Sequence, residues 1–170
     1  MFDPTAFDNM KVIVEGILYD KDLDGDYLII DRDDFMNLSK MNREFSITYK
    51  KNNVKSNVSC KFTLAATAKD LYSELLTSSE DVGCYVEQTF FFNKEIEAEI
   101  LQRSLMLLQN HTEQQFNVFH NIKQSFFEKN KTETSLIIKF INKITEEEFD
   151  QLEELIHITE IMLQWFDEKY

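Results

Sequence analysis

Glycine and proline are scarce in this chain, 3 and 1 among 170 residues. So few turn and linker residues leave no stretch that could serve as a flexible tether, and no low-complexity block separates the halves. The sequence therefore predicts one domain over residues 1–170. Cysteine is nearly as rare. Cys60 and Cys84 stand in no short-spaced thiol pattern of the kind that zinc or redox chemistry uses, which makes them small buried hydrophobes and fits a reducing compartment. No apolar run approaches the roughly 18 residues of a membrane helix. MFDPTAFDNMK also lacks the basic-then-apolar order of a signal peptide, so a cytoplasmic protein is expected. Basic residues are outnumbered, 18 Lys+Arg against 31 Asp+Glu, and the net charge of -13 gives a negative mean potential that disfavours nucleic acid and anionic lipid surfaces. Glycine-rich phosphate loops, dinucleotide fingerprints and nucleophile elbows are also missing, so no cofactor is expected.

What the chain has in quantity is apolar surface. Hydrophobic residues make up 43% and aromatic residues 13%, enough for a sizeable core in 20.2 kDa. The distribution along the chain predicts the elements. KVIVEGILY and YLIID are rich in branched and aromatic residues, and Asp24-Gly25 between them is a hairpin turn signal. DDFMNLSKM predicts a short helical turn, with Asp33 or Asp34 as its cap. EFSITYK alternates Phe45, Ile47 and Tyr49, and SNVSCKFTL alternates Val58, Cys60, Phe62 and Leu64, giving a second hairpin broken by KNN. Thr67 and Asp70 cap a helix through AKDLYSELL, with Leu71, Tyr72, Leu75 and Leu76 one turn apart. CYVEQTFFF reads as a strand buried on both faces. Residues Lys94 to Gln109 fit both periods, with length and Glu, Leu and Met content favouring helix. QFNVFHNI and TSLIIKFINKI form a third hairpin across EKNKTE.

The sharpest local signal opens the last helix. Thr145 and Glu148 have the spacing of a capping box, and Ile144 and Phe149 can staple the entry. Over Glu146 to Glu168, Phe149, Leu152, Leu155, Ile156, Met162, Leu163 and Phe166 form one stripe. Ile158, Ile161 and Trp165 lie outside it and widen the apolar arc to roughly 240°, more than a helix resting on one sheet needs. These three residues are the candidate interface, and a second subunit is the expected cover. The order of elements implies an α+β fold: a mainly antiparallel sheet of hairpins with about three helices on one face and a long C-terminal helix.

Metal chemistry has one local candidate. Asp20, Asp22, Asp24, Gly25, Asp26 and Asp31 match the spacing of a calcium loop, and hard carboxylate oxygens suit that ion. The context argues against it, because KVIVEGILY has high strand propensity where an entering helix is required, and Asp31 stands where a bidentate Glu is usual. A solvated acidic hairpin is the expectation. Glu154 and His157 have a helix-bundle ligand spacing, but no second such pair accompanies them. His111 and His120 have no evident catalytic partner in sequence.

The opening FDPTAFDNMKVIVEG, with the YDKDLDG turn and DRDDF after it, resembles the start of a family of small bacterial cytosolic proteins without an assigned activity. The resemblance covers about the first fifth of the chain. It implies a cytoplasmic setting and brings no catalytic or binding residue with it.

Three functional readings follow in order. The first is a non-enzymatic protein-interaction module that self-associates as a homodimer. The second is an acidic inhibitor or immunity-type protein that occupies a basic toxin or enzyme, motivated by the Asp20 to Asp34 cluster and its power to steer a basic partner. The third is an enzyme without a recognisable motif, since catalytic groups distant in sequence can meet in space. Thr145→Ala should lower stability by about 0.5–2 kcal/mol, read as a lower urea midpoint.

Overall fold

A computed structural model describes residues 5–76, 82–128 and 131–169, except the side chains of residues 74–76. Leu75 and Leu76, which the spacing grouped with Leu71, therefore have side chains outside the described residues. The elements run α1 (Ala6–Leu23), β1 (Tyr27–Asn37), β2 (Asn42–Lys51), β3 (Val58–Ala66), α2 (Ala68–Leu76), β4 (Gly83–Phe92), α3 (Ala98–His111), β5 (Phe116–Gln124), β6 (Thr132–Phe140), β7 (Ile144–Thr145), a 3-10 turn (Glu146–Glu148) and α4 (Phe149–Lys169). All strand pairs are antiparallel, in the order β1-β2-β3-β4-β6-β5, and the short β7 pairs with the start of β4. Mixed helices and an antiparallel sheet make this an α+β fold, as the element order implied. Among the described residues no helix is long and apolar enough to cross a membrane.

The first element departs from the reading of the sequence. KVIVEGILY is helical, not a strand. Phe7, Met10, Val14 and Leu18 fall on one buried row at helical spacing, and Thr5 caps the start by accepting the Asp8 backbone N–H. Burial of that row outweighs the strand propensity of Val12, Ile13 and Val14, and Gly16 sits exposed on the outer side. Asp24-Gly25 then ends a helix and does not turn a hairpin. The Gly25 N–H bonds to the Asp22 carbonyl and the Asp26 N–H to the Lys21 carbonyl, with Gly25 at φ 84°. That paired closure of a helix end by a left-handed residue is a Schellman motif, which glycine adopts without strain.

The true first hairpin is β1–β2. β1 runs through DDFMN, where a helical turn was expected, because Asp33, Asp34 and Phe35 pair with Ser46, Phe45 and Glu44. The Asn37 side-chain oxygen accepts from the Ser39 and Lys40 N–H groups and builds the turn. The two later hairpins form as their alternation required, and the Lys94 to Gln109 region resolves as helix from Ala98.

Alternation divides the sheet into two faces. The row Ile29–Tyr49–Cys60–Phe90–Leu136–His120 and the next, Arg32–Ile47–Phe62–Gln88–Ile138–Val118, look toward the helices. The opposite rows, Asp31–Thr48–Lys61–Thr89–Ile137–Phe119 and Asp33–Ser46–Thr63–Glu87–Lys139–Asn117, form the other face, where Ser46, Thr63 and Thr89 are buried while Asp31, Asp33, Lys139, Asn117 and Phe119 are exposed. Phe91 lies on this second face and is exposed, so β4 is not buried on both sides along its whole length as its aromatic ending suggested.

α4 rests on β2 and β3, with α1 along one flank and α3 along the other. Its entry is the expected capping box: the Thr145 N–H and hydroxyl both bond to the Glu148 carboxylate at 3.0 Å. Leu152, Leu155, Ile156, Ile158, Met162, Leu163 and Phe166 are buried in the core. Each such side chain contributes about 1.5–3 kcal/mol of transfer free energy before the cost of ordering. Where β7 meets β4, Gly83 lies so close to Ile144 that a Cβ would overlap its carbonyl oxygen, while a Cβ on Gly16 would meet open space. Gly83→Ala should therefore destabilise by about 1–3 kcal/mol. Gly16→Ala should stabilise by about 0.4–1 kcal/mol, the two shifts in urea midpoint having opposite sign.

Candidate functional site

The three interface candidates on α4 do not form an exposed patch. Ile158 is 2% exposed and belongs to the core, a correction to its expected place at a subunit boundary. Ile161 and Trp165 are half-buried, and the indole packs edge-on against Phe166 at 5.3 Å. The wide apolar arc is real, but α1 and α3 close the flanks that the sheet leaves open. Periodicity gave the width of the arc correctly and could not say which elements would fold over it.

The acidic loop is placed differently from its expected context as well. A helix does enter it, since Asp20 and Asp22 lie in the last turn of α1, but a strand leaves it. The carboxylates serve the backbone: Asp22 Oδ1 accepts the Ile29 N–H at 3.1 Å and Asp31 Oδ1 the Arg32 N–H at 3.0 Å. Asp24 and Asp26 are exposed beside Gly25. Among the described residues no group of three His, Cys, Asp or Glu side chains could hold a metal ion.

Of the remaining titratable candidates, Glu154 and His111 line one cleft, while His157 and His120 lie outside it. Glu154 and His157 are exposed, with the His157 ring 3.6 Å from Glu160. His111 Nδ1 lies 2.8 Å from the Leu107 carbonyl in the last turn of α3, and His120 is exposed on β5. Cys60 and Cys84 are both buried; burial pushes the Cys60 thiol well up, which leaves it unreactive. A polar cleft of about 780 Å³ opens between the end of α3 and the start of α4, lined by Gln109 to Gln114, Asn142, Lys143, Glu148, Gln151 and Glu154, which brings the candidates Glu154 and His111 to one cavity. Lys143 is held there by the buried carboxylate of Asp70.

Exposed apolar side chains gather at both ends of the sheet: Leu28, Ile30, Phe35 and Met36 on β1, and a second group at the β5–β6 end. In that second group Phe91, Phe119 and Ile137 lie on the face away from α4, Phe119 being 48% exposed. Ile122 on β5 is 51% exposed. At the tip of the hairpin Phe126 and Phe127 are 89% and 92% exposed, their rings edge to face at 5.3 Å. A groove of about 440 Å³ lined by Ile96, Ala98, Leu101 and His120 runs beside β5 on the helical side. The sequence signal for this region was present as the alternation in QFNVFHNI. It could not separate exposed from buried apolar positions.

The opposite edge, β1, sets a charge network beside its exposed Leu28, Ile30, Phe35 and Met36. Arg43 on β2 grips Asp34 through Nε at 3.1 Å and Nη2 at 3.0 Å and reaches Asp8 of α1 through Nη1 at 2.7 Å, while Lys11 meets Asp34 at 2.6 Å. Those hydrogen bonds, Arg43 first, hold the Asp34 carboxyl below its ordinary value, and Thr5 and Arg43 overcome the effect of burial to do the same for Asp8. A carboxyl lowered in the folded state contributes stability that is complete above its unfolded value, about 3.9, and lost as pH falls through the folded one. The urea midpoint should therefore hold steady from neutral pH down to about 5 and decline below about 4. Asp34→Asn should flatten part of that decline, and an unchanged acid limb would contradict the assignment.

No protein-family model, curated protein or solved structure matches this chain.

Proposed function

We propose that this chain is a protein-interaction module, without catalytic chemistry of its own, that works by self-association. The observation that carries the reading is the group of bare aromatic and aliphatic side chains around the acid-free edge strand, Phe91, Phe119, Ile122, Phe126 and Phe127. Phe91 and Phe119 lie on one face of the sheet and Ile122 on the other, so the group wraps the β5 edge, and such grouping, unlike scattered exposed apolar residues, marks an interaction site. The charge pattern supports a second copy as the partner. A chain of net charge -13 repels its own kind unless the meeting surfaces are locally free of acid, and FNVFHNIKQ of β5 contains none.

A second reading is favoured by one feature only. Asp20, Asp24, Asp26 and Asp31 stand exposed around the α1–β1 corner, at the far side of the sheet from β5, and would suit a basic protein partner.

Sedimentation of the native chain at tens of micromolar should give a dimer, and Phe119→Asp should weaken it at least about tenfold, equivalent to 1.4 kcal/mol, with unchanged far-UV circular dichroism. A native monomer at that concentration overturns self-association.

A further inference from the structure

We propose that two copies of this chain join edge to edge through β5, antiparallel about a two-fold axis at His120, so that their sheets become one continuous sheet. The proposal rests on the self-association reading and names its seam.

The two edges of the sheet are not equivalent. β1 carries Asp31, Asp33 and Asp34 and a bulge between Ile29 and Asp31, devices that blunt an edge against pairing. β5 carries no acid, proline or bulge along its pairing with β6. The hydrogen-bond phase of β5 follows from its two ends. The Ile141 N–H bonds to the Gln115 carbonyl and the Ser125 N–H to the Lys131 carbonyl, so odd-numbered residues of β5 face β6. Antiparallel ladders alternate, and Val118, His120 and Ile122 accordingly turn their N–H and C=O groups outward.

A two-fold axis at His120 sets the outward groups of Val118 against those of the partner's Ile122, and His120 against the partner's His120. In this register no like charges oppose each other along the strand, because Lys123 lies across from the partner's Asn117. The partner's half-exposed Ile122 comes beside Val118 and the groove of Ile96 and Leu101. The same register carries Phe126 and Phe127 past the end of the partner's β5 to the partner's Gln114 and the partner's Glu113, at the mouth of the polar cleft, so the acid-free stretch of the seam is β5 itself. The four tip phenylalanines of such a pair, at about 150–250 Å² each, and a seam about 30 Å long bring the buried area to the order of the 1,200 Å² that a specific interface needs.

Two variants test the seam. A proline at an outward-facing position of an edge strand spares the ladder to its inner neighbour. His120→Pro should therefore keep the native far-UV spectrum and sediment as a monomer at concentrations where the native chain is a dimer. His120→Cys should form a disulfide-linked dimer under copper-catalysed oxidation, since directly opposed hydrogen-bonded residues have Cα atoms about 5.5 Å apart, within disulfide range. The buried Cys60 and Cys84 do not compete. Asp31→Cys, on the other edge, should stay uncrosslinked. If the native chain dimerises but His120→Cys crosslinks no better than Asp31→Cys, or a folded His120→Pro remains dimeric, the seam is wrong and self-association stands. If the native chain is a monomer, both fall.

Discussion

One backbone carbonyl fixes how the helical layer sits on the sheet. Leu155, midway along α4, accepts the Gln88 side-chain amide from β4 at 2.9 Å and the Thr159 hydroxyl at 2.9 Å, all in fully buried surroundings. A hydrogen bond in so dry a place is electrostatically strong, and losing one partner leaves a buried polar group without water, at about 1–3 kcal/mol. Apolar packing tolerates sliding; this bond does not. With α4 held at that point, Phe166 meets Phe90 and Phe92 at 5.5 and 4.8 Å, and Leu152 to Leu163 cover β2 and β3. α1 and α3 then have only the flanks of α4 to occupy.

That arrangement determines where apolar surface is left over. Because the chain covers α4 on three sides with its own elements, the broad arc of that helix completes a protomer. The same helical layer stops short of the outer half of the β5–β6 hairpin, where Asn121 to Gln124 are exposed. The two edges also divide the labour of charge. Asp34 of β1 ties the strand to α1 and β2 through Arg43 and Lys11, which gives the acidic edge a structural role. The acid-free strand lies at the other limit of the sheet.

The legible parts of the sequence were those whose signals are local. The Thr145–Glu148 box, the alternation of β2 with β3 and of β5 with β6, and the cap at Thr67–Asp70 are set within a few residues and appear where the pattern put them. α1 was misread because its branched residues favour a strand, and only contact with α4 and the sheet decides in favour of the row Phe7, Met10, Val14 and Leu18. Asp24-Gly25 inherited that error: the same dipeptide closes a helix or turns a hairpin according to what precedes it. The position of Trp165 failed for a different reason. Periodicity measures how much of a helix is apolar and carries no information about how many neighbours will come to cover it.

Amide hydrogen exchange at low and high protein concentration reads α4 and β5 in one experiment. Protection of α4, from Leu152 to Phe166, should be independent of concentration, while the outward amides of Val118, His120 and Ile122 should become protected as concentration rises. Concentration-dependent protection around Ile158 and Trp165, with those three β5 amides exchanging freely throughout, would contradict β5 as the seam.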